Sequence, residues 1–212
     1  MEMRRCNCCC GWRTTAAIVL LLLLLVSSGA VRAADTAAEG KFERTLKVTA
    51  PVDLDVKTGS GSIQVRAGAA GSVQVIGRIR AREGWRGSLG AEEKVRRLEA
   101  TPPIVQQGNT IRIGEIEDRD LRENVSISYE LTVPADTKLR SNTGSGSQTV
   151  NGIRGPVDAG TGSGSVTLSN IEGEVHASTG SGNVELNTTK GGVRASTGSG
   201  SIRAIGIAGQ FS

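Results

Sequence analysis

Thr143-Gly144-Ser145-Gly146-Ser147 decides the fold of this chain. Copies begin at Thr161, Thr179 and Thr197, each 18 residues after the one before, with Asn183 replacing the last serine in one of them. A fifth copy, Thr58-Gly59-Ser60-Gly61-Ser62, lies far upstream. A short fixed period marks a stacked architecture, in which no unit buries its own apolar side chains but neighbours bury one another's.

Counting each unit from its threonine shows what is stacked. Place 6 holds Gln148, Val166, Val184 and Ile202, and place 8 holds Val150, Leu168, Leu186 and Ala204. Place 11 holds Ile153, Ile171, Thr189 and Ile207, and place 13 is Gly155, Gly173, Gly191 and Gly209. Place 15 holds Val157, Val175, Val193 and Phe211, and place 17 holds Ala159, Ala177 and Ala195. Side chains alternate along a strand, so places 6 and 8 share one face and places 15 and 17 share another. Each unit is therefore two short strands and two glycine-bearing turns. Stacked at about 4.8 Å per coil, the units predict an all-β parallel β-solenoid. It is of the single-stranded β-helix type, with 18-residue coils, one short helical insertion and a core kept thin by the alanines.

The Thr-Gly-Ser-Gly corner then has a structural task. Its glycines permit close backbone approach between coils, and its hydroxyls form ladders up the stack. A phosphate cradle would put a lysine after the turn and a helix on it, and neither is present. A calcium repeat would place aspartate in the glycine turn, where this chain has serine or asparagine. An ice-binding face would need Thr-X-Thr on a flat strand, whereas this threonine opens a turn.

The segments before the block read as strands with one interruption. Leu46 and Val48, then Val52, Leu54 and Val56, then Ile63 and Val65, then Val73, Val75 and Ile79 are apolar positions of successive strands. A helix is expected over residues 91–99, capped by Ser88 and stopped by Pro102-Pro103. Residues 104–113 form a hairpin about Gln107-Gly108-Asn109, and residues 115–124 a solvated acidic loop. Val125, Ile127, Tyr129, Leu131 and Val133 alternate without a fault.

The N-terminus is a leader. Arg4, Arg5 and Arg13 precede the unbroken apolar run Ala16–Val26, and Val31 and Ala33 occupy small-residue cleavage places. This predicts a signal peptide over residues 1–33, a flexible lead-in over 34–41 and one β-solenoid domain over 42–212, with the repeat block at 143–212 and the insertion at about 82–124. Contact with a membrane is expected only where the signal segment stays uncleaved. Cys6, Cys8, Cys9 and Cys10 all precede the apolar run, so the exported chain has no thiol chemistry and no disulfide framework.

Without residues 1–33, 21 basic and 20 acidic side chains remain. That near-neutral balance, with only Phe42, Trp85, Tyr129 and Phe211 as aromatics, excludes a nucleic-acid binder built on phosphate contacts and base stacking.

The segment 125–137 (VSISYELTVPADT), Leu139 and the repeated Thr-Gly-Ser-Gly-Ser-Val resemble the bacterial DUF4097 adhesin-like β-repeat family. So do the opening Phe42-Glu43-Arg44-Thr45-Leu46 and the stretch 56–63 (VKTGSGSI). The likeness spans residues 42–212. It implies an exported or envelope-attached β-solenoid of bacterial origin and carries over no catalytic residue.

Candidate contact residues lie on the outward places. His176, the one histidine, falls at place 16 between Asp158 and Arg194 of the neighbouring coils. Acid–base catalysis by such a pair would need a nucleophile in a pocket, whereas an outward row is an exposed charge ladder. Trp85 is the aromatic expected at the surface. Glu115, Glu117, Asp118, Asp120 and Glu123 offer carboxylates for a divalent metal, but such a run reads as a solvated loop. No cofactor and no metal are expected. The functional expectation is a non-enzymatic interaction protein whose partner is an envelope protein or a surface glycan. The alternatives are a polysaccharide-active solenoid enzyme and an envelope sensor or assembly scaffold. The last unit stops at Ser212, two residues short of completion, which predicts a truncated gene model or self-association through the C-terminal coil.

Overall fold

The computed structural model describes residues 37–83 and 90–212. In chain order the elements are β1 (Ala38–Lys47), β2 (Val52–Ser60), β3 (Ile63–Gly68), β4 (Ser72–Ala81), α1 (Ala91–Ala100), β5 (Ile104–Gln107), β6 (Thr110–Ile113), α2 (Arg119–Arg122), β7 (Val125–Pro134) and β8 (Thr137–Ser145). They continue as β9 (Gln148–Asn151), β10 (Val157–Ser163), β11 (Val166–Ile171), β12 (Val175–Ser181), β13 (Val184–Thr189), β14 (Val193–Ser199) and β15 (Ile202–Ile207).

The strands form two sheets. One has eight strands in the order β1-β4-β7-β3-β9-β11-β13-β15, the other seven in the order β14-β12-β10-β8-β2-β6-β5. Through the repeat block every pairing is parallel and offset by 18 residues, as in Val157↔Val175↔Val193 and Val166↔Val184↔Ile202. The upstream copy stacks directly on the block, with Thr58 opposite Thr143 and Ser60 opposite Ser145.

The apolar places face a shared core. Val166, Leu168, Val184 and Leu186 from the larger sheet and Val157, Ala159, Val175 and Ala177 from the smaller are all buried. The corner hydroxyls link successive coils, each threonine donating to a carbonyl of the previous copy: Thr161 Oγ1 to Gly146 O at 3.0 Å, Thr179 Oγ1 to Gly164 O at 3.0 Å and Thr197 Oγ1 to Gly182 O at 2.9 Å. The glycines serve close approach. A Cβ on Gly162 would lie 2.6 Å from Gly144 O, and one on Gly180 the same distance from Gly162 O.

The N-terminal half departs from a purely parallel stack. β1 pairs antiparallel with β4, β4 antiparallel with β7, and β5 antiparallel with β6. The hairpin over β5 and β6 joins the smaller sheet through β6, which pairs in parallel with β2. Three expectations are corrected. Residues 38–41 are strand rather than lead-in, because they run antiparallel to Ile79–Ala81 and neighbouring Arg78 and because Lys41 N donates to Glu99 Oε1 at 2.8 Å. Helix α1 has Gly90 at its N-cap with no side-chain cap there, and Ala91 N donates instead to the Glu83 carboxylate at 3.1 Å. The acidic loop contains α2, whose cap is Asp118 Oδ1 accepting from Asp120 N at 2.9 Å.

Helix α1 buries Ala91, Lys94, Val95 and Leu98 and packs on β1 and β4. Gly40 makes room for it, since a side chain there would collide with Val95 and Glu99. The buried Lys94 ammonium donates to Glu123 O at 2.8 Å. The helix thus covers apolar residues of β1 and β4, strands that have no parallel repeat neighbour. Among the described residues, no helix is long and apolar enough to cross a membrane. The signal segment, the four cysteines, Ser88 and Trp85 fall outside the described residues.

Candidate functional site

The outward places of the smaller sheet build one continuous row. Strand register places Arg112 beside Asp55, Asp55 beside Arg140, Arg140 beside Asp158, Asp158 beside His176 and His176 beside Arg194. The period of 18 residues repeats a place, and parallel pairing sets its copies about 4.8 Å apart. Charge therefore alternates along the row until His176, which stands between the acid and the final arginine. The sequence places Asp158, His176 and Arg194 together, and the structure extends that trio to six strands.

The two ends of the row differ. At Asp55, Lys57 Nζ lies 3.6 Å from Asp55 Oδ2 and 2.9 Å from Glu115 Oε1. The hydrogen bond that Lys57 donates to Glu115, helped by the charge of Asp55, raises the Lys57 pKa, and the same bond lowers that of Glu115. Toward the repeat block, none of the ion pairs among the described residues involves Asp158, His176 or Arg194. All three side chains are exposed. A shallow depression of about 190 Å³ opens at Asp158 and His176, with Lys138, Arg140 and Glu174 also in its lining. It offers both signs of charge to a polar partner. Among its described lining residues there is no serine, threonine or cysteine beside His176.

The acidic set of residues 115–123 is divided. Glu115 is engaged by Lys57, and Asp118 caps α2.

A second concavity escaped the sequence. On the outer face of the larger sheet, β1, β4, β7 and β3 enclose about 620 Å³. Register aligns Glu39 with Arg80 and Ser126, and Lys41 with Arg78 and Ser128. Arg80 Nη2 meets Glu39 Oε1 at 2.7 Å, and Arg78 Nη2 meets Glu130 Oε1 at 2.9 Å. Strand alternation alone predicts that these residues face outward; only the antiparallel pairing of β1, β4 and β7 brings them together.

No family model matches the chain, and no curated protein matches it. Among solved structures it is similar to a candidate cell adhesion protein from Clostridium sporogenes. The TM-score is 0.53 at 13% identity, over 78% of this chain and 99% of that one. That likeness concerns the fold. A candidate adhesin from Bacteroides fragilis aligns over 81% of this chain and 96% of its own, at 13% identity and a TM-score of 0.25.

Proposed function

We propose that this chain is an exported, non-enzymatic β-solenoid of the DUF4097 adhesin-like type, which presents the outer row of its smaller sheet to a cell-envelope protein or a surface glycan. One observation carries the proposal. Asp158, His176 and Arg194 stand in fixed register on successive strands, exposed, and in none of the ion pairs of the described residues. A rigid row of unengaged charges recognises a partner by electrostatic complementarity, which governs specificity and encounter rate. Parallel pairings offset by 18 residues support the solenoid, and the fold likeness to a candidate cell adhesion protein supports the adhesin-like role and an exported location.

The test is an array of envelope glycans and purified envelope proteins. It is probed with the wild-type chain and with the triple variant Asp158→Arg, His176→Ala, Arg194→Glu. Binding by the wild type that the variant loses supports the row. Equal binding by both removes it. Cleaved product released from any bound glycan overturns the non-enzymatic part and favours a polysaccharide-active enzyme.

A further inference from the structure

The groove on the outer face of the larger sheet has a floor of hydroxyls and walls of oriented cations. Ser126 and Ser128 of β7 and Ser62 beside β3 line it. The Ser128 hydroxyl accepts from Ser62 N at 3.2 Å, which leaves its own proton to donate. Arg80 donates from Nε and Nη2 to Glu39 Oε1 at 3.0 and 2.7 Å, and Arg78 meets Glu130 at 2.9 Å. A guanidinium carries five N–H donors in one plane, so each arginine is aimed by its carboxylate and keeps donors for a ligand. Lys41 stands opposite Arg78 in the strand register, and its carboxylate partner, Glu43, is 3.9 Å away. Arg78 and Arg80 are held by Glu130 and Glu39 at under 3 Å, whereas Lys41, 3.9 Å from Glu43, is the cation left most available to a ligand.

We propose that this groove binds an acidic saccharide, with sugar hydroxyls on the serine floor and arginine forks and a sugar carboxylate at Lys41. A peptide fits less well. The groove lies on the face spanned by β1, β4, β7 and β3 rather than along the edge of β1, where Lys41 N already donates to the Glu99 carboxylate, so a strand added at that edge would not fill it. Among the described lining residues Ile79 is the one large apolar side chain, and it is buried and forms no pocket for an apolar side chain. The described lining residues are mainly charged and hydroxylic, a lining that suits a charged sugar better than one held by stacking. The inference rests on the interaction reading above and adds a ligand class and a second face.

The test is calorimetric titration of the full chain with trigalacturonate, and with maltotriose as the uncharged control. Trigalacturonate is expected to saturate the wild type in the millimolar range or below, and maltotriose to give no saturable heat. Lys41→Glu reverses one exposed charge at the site and is expected to weaken binding by about tenfold, with added salt acting in the same direction. Lys190→Glu, in the turn between β13 and β14 and outside both the row and the groove, leaves trigalacturonate binding unchanged. The site is overturned where maltotriose binds as well as trigalacturonate, where trigalacturonate does not saturate the wild type, or where Lys41→Glu has no effect. Failure of trigalacturonate with array binding still sensitive to the Asp158–His176–Arg194 variant removes the groove alone. Array binding insensitive to that variant, with trigalacturonate titrating as expected, removes the row alone.

Discussion

Ser141 Oγ donates to Gln148 Oε1 at 2.5 Å inside the core, and both residues are fully buried. Gln148 Nε2 returns a hydrogen bond to Ser141 O at 3.3 Å and reaches Gly160 O. The pair occupies places that carry Ala159 and Val166 in the next unit, aligned with them by register. One unit thus replaces an apolar contact with a matched polar one, and the two residues are expected to tolerate change only together. Ser141→Ala leaves the buried Gln148 oxygen without its donor and is expected to cost about 1–3 kcal/mol. Gln148→Val leaves the serine hydroxyl unpaired at a comparable cost. The double variant restores the neighbouring unit's residues and is expected near or above wild-type stability. Urea unfolding midpoints for the four proteins check this, and strictly additive losses would contradict it.

The corner glycines make a sharper distinction. A Cβ on Gly162 would lie 2.6 Å from Gly144 O, whereas one on Gly59 would meet nothing within 4 Å. Both residues hold the second place of a Thr-Gly-Ser-Gly copy. Gly162→Ala is expected to push two coils apart and to destabilise by about 1–3 kcal/mol, as overpacking does. Gly59→Ala is expected to stay within about 0.5 kcal/mol of wild type. Thermal unfolding of the two variants decides whether glycine is required by coil contact or by the turn itself; equal losses would favour the turn.

The repeat block was legible because period, glycine placement and strand alternation all report the same stacking. Val166, Leu168, Val175 and Ala177 are buried where the count from threonine puts them. Gln148 was legible as an inward place but not as half of a polar pair, since its partner is set by packing across the core. The N-terminal half was legible as strands and not as pairings. Nothing local reveals that Thr58 lies against Thr143, that β6 joins β2, or that β4 inserts between β1 and β7. Such partners depend on which edges remain free after the block has formed. The same reason hides the groove, whose Lys41, Arg78 and Ser128 come from three strands joined only by antiparallel register. Glu83 replaced the expected helix cap because a carboxylate eight residues upstream reaches Ala91 N, a contact outside local capping patterns.

The outward row at place 12 gives a pH test. Lys190 Nζ lies 2.7 Å from Glu172 Oε1, one coil below it. The hydrogen bond from Lys190, then its charge, lowers the Glu172 pKa beneath the ordinary 4.5. A depressed folded-state pKa contributes stability that is present above the unfolded value and lost as pH falls through the folded one. Lys190→Ala is therefore expected to raise the Glu172 pKa toward 4.5. It should also lower the unfolding temperature slightly at neutral pH and not in strong acid. Carboxyl NMR titration measures the first effect and melting against pH the second. A Glu172 titration unmoved by Lys190→Ala would show that the pair does not persist in solution.

The terminal unit supplies the last prediction. Ile202 is 39% exposed, Ile205 55% and Phe211 49%, whereas Val184 and Val193, one coil earlier than Ile202 and Phe211, are 0% and 3% exposed. Among the described residues β15 pairs with β13 alone, leaving its second edge open. Residues 210–212 begin another strand over β14, with Val193 N donating to Gln210 O at 2.7 Å and Ser212 N to Val193 O at 3.0 Å. β15 and Phe211 thus present apolar side chains and an open strand edge together, the combination that invites pairing with a second copy. Sedimentation velocity is expected to show association that grows with concentration. Ile205→Lys places a charge on the open edge, and Phe211→Ser removes apolar area from the face. Removing one large apolar contact corresponds to about tenfold or more in the association midpoint. The double variant is expected to shift that midpoint upward by at least this factor while keeping the wild-type circular dichroism spectrum. A wild-type protein that stays monomeric throughout the concentration range would mean that this face is not used for self-association.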